Sequence, residues 1–273
     1  ANILNNQYAS VFTEEDSGAL PDLGPSPFPE MPHPSVTQNG VEKLLHNLNP
    51  NKAAGPDKLS PRFLREVSQE LSPLYTTLFQ KSIDEGQVPT QWRTAEVSPI
   101  FKKGEKYDPA NYRPVSLTAI TSKLLEHIIA KSIMSHLEEN GLLTDSQHGF
   151  RSKRSCETQL LNFTQELITG MSDGQQYDVN VMDFSKAFDR VPYRRLLLKA
   201  GHYGIHGPVH SWLGSFLDHR SQRVLVDGES SDVVSVVPQG TVLGPVLFLL
   251  LTSLRSSTAH ANSSLMTCLC TAR

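Results

Sequence analysis

Cysteine is scarce in this chain. Cys156, Cys268 and Cys270 are the only three in 273 residues. That excludes a disulfide framework and favours an intracellular setting. Long apolar runs are missing too: the longest, around 246–251, falls far short of the ~20 residues a membrane span needs. At the start, Ala1-Asn2-Ile3-Leu4-Asn5-Asn6 puts no basic segment ahead of an apolar one, so no signal peptide is expected. The absent initiator Met suggests a piece cut from something longer. The ten histidines show no metal-binding spacing with the cysteines, which argues against a zinc site. There is no Walker-type phosphate loop, no Gly-x-Ser-x-Gly elbow and no internal repeat. Net charge is small as well. Lys plus Arg number 25 and Asp plus Glu 28, leaving −3, a balance that as a bulk figure does not advertise nucleic-acid binding.

What is present is unevenly distributed. Within 1–50, six acids (Glu14, Glu15, Asp16, Asp22, Glu30, Glu42) face Lys43 alone, a balance of −5, so the remainder carries +2. Within 186–223, seven basic residues (Lys186, Arg190, Arg194, Arg195, Lys199, Arg220, Arg223) face Asp189 and Asp218, a local +5. An acidic N-terminal piece masks a basic remainder. The length allows one large domain or two small ones, and an apolar fraction of 38% is not that of a disordered chain.

Six prolines between Pro21 and Pro34 mark an extended linker, because proline fixes φ and removes a donor. The pattern predicts a helix over 35–47, with Val41, Leu44, Leu45 and Leu48 on one face. Ser60 is placed to cap a second helix opened by Pro61, with Phe63, Leu64 and Val67 as its apolar side. Residues 97–101 read as a strand leading into a basic loop. The clearest helix covers 122–140, where Leu124, Leu125, Ile128, Ile129, Ile133 and Leu137 keep the 3.6 period and Gly141 sits at the C-terminal cap. A further helix is expected over 155–168 and a strand over 177–183. Pro192 opens a basic helix, a hairpin turns at Asp227-Gly228 between 223–226 and 233–237, and a buried element spans 239–250. Helices and strands interleave with local hairpins, which points to an α+β fold.

Four groups of residues could carry chemistry. Asp183 ends an apolar strand, and a carboxylate held at a rigid strand end can ligate Mg²⁺, although an isolated acid there is more often a simple strand-to-loop junction. Lys102, Lys103 and Arg113 flank a Gly/Pro-punctuated turn that could cradle a triphosphate or be a solvated basic turn. Arg151, Lys153 and Arg154 form a second basic run after Phe150, with the same two readings. In 238–245, two glycines and two prolines set an unusual backbone that a ligand or another chain could approach closely, or that simply turns ahead of a core helix.

In combination these segments are specific. Asn51-Lys52-Ala53-Ala54-Gly55-Pro56-Asp57, Ile100-Phe101-Lys102-Lys103-Gly104, Asn111-Tyr112-Arg113-Pro114-Val115-Ser116-Leu117, His148-Gly149-Phe150-Arg151, Asp183-Phe184-Ser185-Lys186-Ala187-Phe188-Asp189 and Pro238-Gln239-Gly240-Thr241-Val242-Leu243-Gly244-Pro245 occur in this order. The series closely resembles the reverse transcriptases of non-LTR (LINE-type, jockey/CR1-like) retrotransposons over residues 41–250. The resemblance implies a right-hand polymerase, with fingers and part of the palm in 41–250, an acidic, Pro-rich linker in 1–40, and no thumb. It implies an RNA template, a DNA primer, dNTPs and two-metal Mg²⁺ chemistry, with no membrane partner. Asp183 matches the first catalytic carboxylate and metal ligand, and Phe184 supplies the adjacent metal-facing carbonyl. Phe188 falls at the bulky position that excludes a 2′-hydroxyl. Lys102, Lys103 and Arg113 match positions near the incoming nucleotide, and Gln239 and Gly240 match the loop lying against nucleotide and template base. Arg151, Lys153, Arg154, Arg194 and Arg195 would follow the nucleic-acid backbone.

One part of the pattern is missing. The family places a Phe- or Tyr-Ala-Asp-Asp hairpin next, yet no Asp or Glu occurs after Leu250. Met is encoded only by ATG and Thr by codons beginning AC, so one shifted frame must read Asp across Met266-Thr267. With allowed neighbouring codons that frame can read Leu-Phe-Ala-Asp-Asp-Met-Ser-Leu-Tyr-Arg. Residues 251–273 are therefore expected to be a frameshifted tail. The chain is then expected to be a polymerase by descent, inactive for want of two metal ligands, with a non-catalytic nucleic-acid-binding remnant or an unselected fragment as the alternative.

Overall fold

The computed structural model describes residues 1–10, 18–179, 191–218, 220–235 and 241–252. Helix α1 covers Asn2–Ala9, α2 Gln38–His46, α3 Pro61–Glu66 and α4 Ser68–Asp84. Strands β1 (Thr94–Phe101) and β2 (Tyr112–Leu117) come next, followed by α5 (Ile120–Glu139) and α6 (Cys156–Ser172). Then come α7 (Tyr193–His202), α8 (Gly207–Leu217), β3 (Ser221–Val226), β4 (Glu229–Ser230), β5 (Val234–Ser235) and α9 (Gly244–Thr252). The result is a mixed α+β architecture. Among the described residues, no helix is long and apolar enough to cross a membrane.

Local chemistry explains most boundaries. The Ser60 hydroxyl accepts the Phe63 N–H, and Pro61 occupies the first helical position, where its missing donor costs nothing. Because α3 has only six residues it buries one side chain row: Leu64 is enclosed, while Phe63, expected on the apolar side, stands 52% exposed. In α5, Leu124, Leu125, Ile129, Ile133 and Leu137 are all buried. Gly141 ends it with φ +59°, and the Leu142 N–H returns to the Leu137 carbonyl. Ser155 and Thr158 form a reciprocal capping box at the start of α6.

The sheet is mixed, in the order β2-β1-β3, with β4 and β5 both on the far edge of β3. β1 pairs antiparallel with β2 and parallel with β3. Asp227 and Gly228 both take positive φ, the geometry of a two-residue hairpin turn that matches strand twist. The strand returning from that turn is split. Between β4 and β5 the Ser231 hydroxyl, rather than a backbone carbonyl, accepts the Val224 N–H.

The main core is helical, formed by α2, α4, α5, α7, α8 and α9 around Leu45, Phe79, Ile133 and Trp212. Three segments depart from expectation. The first residues form α1, which lies on the sheet with Tyr8 against Val97 and Val224, while Asn5 bonds Gln222 and the Asp232 carbonyl. The Pro-rich stretch is extended, as its prolines require, but it is strapped to the body. Met31 is buried, its N–H donating to the Gly204 carbonyl, and Phe28 packs on His202 and Tyr203. Tyr177, Asp178 and Val179 form no strand: Tyr177 folds back beside Gly170 at the end of α6, where a side chain larger than hydrogen would collide with its ring. The remaining residues of that expected strand, 180–183, lie outside the described residues.

Candidate functional site

The β1–β2 hairpin carries the first predicted cluster. Its register pairs Ile100 with Arg113 and Phe101 with Tyr112, and the Lys102 N–H adds one more rung to the Asn111 carbonyl. Lys102 and Arg113, distant in sequence, are thereby brought to one end of one ribbon, with Lys103 next along the chain. All three are exposed. Among the described residues no carboxylate pairs with them. The loop holding them is braced from within: the Asn111 amide donates to the Glu105 carbonyl, the Tyr112 hydroxyl to the Lys106 carbonyl, and Lys106 lies 6.0 Å from the Phe101 ring centre. Gly104, at φ +90°, packs so tightly on the Asn111 side chain that a Cβ would sit 2.7 Å from it.

The 51–57 segment packs behind this hairpin. A Cβ on Gly55 would lie 2.6 Å from the Thr118 carbonyl oxygen, so only glycine allows the loop to touch the β2–α5 junction. Just after it, Lys58 reaches Glu96 on β1 at 3.2 Å, and Arg223 on β3 meets the same carboxylate at 2.6 Å. The Glu96 side chain is only 7% exposed. Burial alone would raise its pKa, but the hydrogen bonds from Arg223 and Lys58 outweigh it and hold the carboxyl below its usual range. A depressed carboxylate contributes stability that is present above its unfolded pKa of about 4.5 and lost as pH falls through the lowered value. Glu138, held by Arg151, works in the same direction. The expected result is a urea midpoint that drops between pH 5 and pH 3, with a shallower drop in Glu96→Gln; an unchanged slope in that variant would rule Glu96 out as a contributor.

Two arginines of the second basic run are held by partners within the fold. Arg151 donates to both Glu138 oxygens at 2.6 and 2.8 Å and to the Thr144 carbonyl at 2.6 Å, with its side chain only 8% exposed. It ties the α5–α6 connection together through these internal partners. Arg154 pairs with Asp145 at 2.8 Å, while Lys153 is exposed at φ +61°. Arg194 and Arg195 are exposed on α7, and Arg194 reaches the Gly18 carbonyl.

Sequence reasoning missed Glu126, the one acid on the buried face of α5. Its Oε2 accepts the Val242 N–H at 2.7 Å and the Leu243 N–H at 3.4 Å, and its Oε1 accepts the Ser122 hydroxyl at 3.2 Å. Burial pushes the carboxyl up, against the opposing pull of the Arg220 charge and those donors. The available signal was its spacing, four residues after Ser122 and three before Ile129 on the apolar side of the helix.

Asp183, Phe184, Phe188, Gln239 and Gly240 lie outside the described residues. Among the described residues no three or more His, Cys, Asp or Glu side chains gather as a metal would need.

Comparison with known proteins agrees with the motif order. Residues 100–266 match the family model described as reverse transcriptase (RNA-dependent DNA polymerase), a span that runs past Leu251. The chain is 32% identical over 232 residues to the RNA-directed DNA polymerase from mobile element jockey of Drosophila melanogaster, covering 82% of this chain and 25% of that protein. It is 31% identical over 214 residues to the probable RNA-directed DNA polymerase from transposon X-element of the same species, covering 77% and 24%. With the jockey polymerase of Drosophila funebris it shares 30% over 260 residues, 93% of this chain and 28% of the relative. The chain thus spans about a quarter of the length of these relatives. With the family match and these identities in agreement, the chain belongs to the reverse transcriptase family and is related to the jockey and X-element enzymes of non-LTR retrotransposons.

Proposed function

We propose that this chain is, by descent, the fingers and partial palm of an RNA-directed DNA polymerase, the class that takes an RNA template, a DNA primer and dNTPs, and that as it stands it does not catalyse incorporation. The observation that carries the reading is the exposed Lys102, Lys103 and Arg113 cluster, which the β1–β2 register assembles at one end of a ribbon. Cations so placed can neutralise a triphosphate or the template backbone. Asp183 and the Phe184 carbonyl would hold Mg²⁺, which when bound supplies charge neutralisation at the transferring phosphoryl group. Phe188 would screen the sugar, and Gln239 with Gly240 would lie against the nascent base pair. Lys153, Arg194 and Arg195 would track the nucleic-acid backbone.

A second reading rests on the absence of any Asp or Glu after Leu250. Without the paired acids of the family's next hairpin the metal site stays incomplete, and the chain acts as a nucleic-acid-binding remnant. In this reading 251–273 is a frameshifted tail. Codons there that exclude Asp-Asp in the shifted frame would sink that account.

Primer extension in Mg²⁺ tests both readings. The expected outcome is duplex binding with no incorporation, because the preorganised charge stabilisation that carries most of such catalysis is missing. Incorporation that disappears in Asp183→Ala would overturn the inactivity and with it the remnant reading. No duplex binding at all would overturn both.

A further inference from the structure

Helix α1 is eight residues long, mostly polar, and no side chain caps its start. An isolated helix of that length is marginal in water, so docking is what holds it. At one end the Asn2 amide donates to Asp232 Oδ2 at 3.0 Å, and the Asp232 N–H returns to Asn2 Oδ1 at 2.9 Å. One turn on, buried Asn5 donates to the Asp232 carbonyl at 2.8 Å and accepts from the Gln222 amide at 3.0 Å. At the other end Tyr8 is buried against Val97 and Val224, with Tyr112 packed on the same cluster. Burial, followed by the neighbouring Tyr112 phenol, pushes the Tyr8 hydroxyl up to about 12. That hydroxyl is enclosed and has no hydrogen-bond partner among the described residues, so the ring is the part of Tyr8 that favours docking. From Tyr112 the contacts run on into the basic loop. Its ring lies 5.5 Å from that of Phe101, and its hydroxyl donates to the Lys106 carbonyl at 2.7 Å. Helix α1 also meets the short 3₁₀ turn Pro109–Asn111, where the Asn111 carbonyl accepts the Lys102 N–H at 2.9 Å. It therefore reaches from β3 to the base of the loop that carries Lys102, Lys103 and Arg113.

We infer that α1 is the back support of the basic hairpin, with Tyr8 as its positioning residue: the ring behind Tyr112 holds the 102–111 loop in one conformation, so that Lys102, Lys103 and Arg113 meet a phosphate backbone already in place. This rests on the polymerase reading. Cations that are set before binding spare the complex the cost of ordering them. The role explains why a polar helix lies on the sheet, and why a tyrosine is buried there with its hydroxyl unpartnered.

Three variants of the full chain test it. Tyr8→Phe keeps the ring, and Tyr8→Ala removes it. Asn5→Asp leaves Tyr8 and the hairpin intact but sets a carboxylate against the Asp232 carbonyl, which releases α1 from its other end. Hydrogen exchange is read at the Lys102 amide and, as a control, at the Ile129 amide within α5; affinity for an RNA template–DNA primer duplex is read across a salt series. Tyr8→Phe is expected to match the parent throughout. Tyr8→Ala and Asn5→Asp are each expected to speed exchange at Lys102 by about tenfold or more while Ile129 stays at the parent rate. Both should weaken duplex binding by roughly fivefold to tenfold at every salt concentration, the scale of ordering one or two side chains. The dependence of log affinity on log salt should keep its parent slope, because the same three cations reach the phosphates once the complex has formed. Parent-like exchange at Lys102 in either variant would overturn the inference. So would equal acceleration at Ile129, which marks a general loss of stability, or faster exchange at Lys102 with unchanged affinity. A shallower salt slope, or a Tyr8→Phe that behaves like Tyr8→Ala, would overturn it as well. If the parent chain binds no duplex, the polymerase reading fails, while exchange at Lys102 still decides whether α1 braces the hairpin.

Discussion

Replacing Lys102, Lys103 and Arg113 together by alanine is expected to weaken binding of a template–primer duplex by about tenfold to a hundredfold and to make the dependence of log affinity on log salt shallower by about 2–3. Each cation that neutralises a phosphate releases close to one counterion, so three cations on one exposed hairpin should carry three such increments at most. The fold should be nearly indifferent, since all three side chains are exposed and surface substitutions cost little. Arg151→Ala provides the contrast. Its guanidinium is sequestered by Glu138 and Thr144, so that variant should lose about 1–3 kcal/mol of stability and keep the parent salt slope. A triple variant with unaltered affinity and slope would remove this hairpin from the binding surface.

Trp212→Ala should be the most damaging single change to the fold, costing about 3–5 kcal/mol. Trp212 is fully buried, stacks on Phe216 at 5.3 Å, and donates its indole N–H to the Ser82 hydroxyl at 2.9 Å, fastening α8 to α4. Removing it leaves a cavity and takes a partner from Ser82, against a total stability on the order of 5–15 kcal/mol for a domain. Urea denaturation reads the loss directly. Trp212→Phe should cost less than half as much, because it keeps most of the ring contact and gives up the hydrogen bond and the smaller part of the indole. A loss under about 1 kcal/mol in the alanine variant would mean that the α4–α8 seam is not where the core is concentrated.

These two cases differ in how visible they were beforehand. The helix Ile120–Glu139, the Ser60–Pro61 start of α3, and the turn at Asp227-Gly228 were all legible, because each depends on residues within a few positions of one another. Strand β1 begins three residues earlier than its apolar run suggests, at Thr94, since Glu96 interrupts that run while pairing with Lys58 and Arg223. The helix Asn2–Ala9 was not foreseen. What holds it are amide contacts to Gln222 and Asp232, more than two hundred residues away, and no local pattern encodes them. Arg151 and Lys102 look alike in a sequence; one faces a carboxylate inside the fold and the other faces solvent.

The amino-acid sequence by itself determined the family, through the order of short motifs, and most helices and turns, through periodicity and caps that act over a few residues. It also supplied the absence of acids after Leu250, which needs no coordinates to be seen. Only the tertiary structure decided which charges are available. It placed Lys102, Lys103 and Arg113 outward on one hairpin, turned Arg151 inward to Glu138, and set Glu126 beneath the backbone before α9. The reason is physical: a charged side chain carries no local signal of its partner, and the burial and long-range contacts that settle its role exist only once distant segments have packed together.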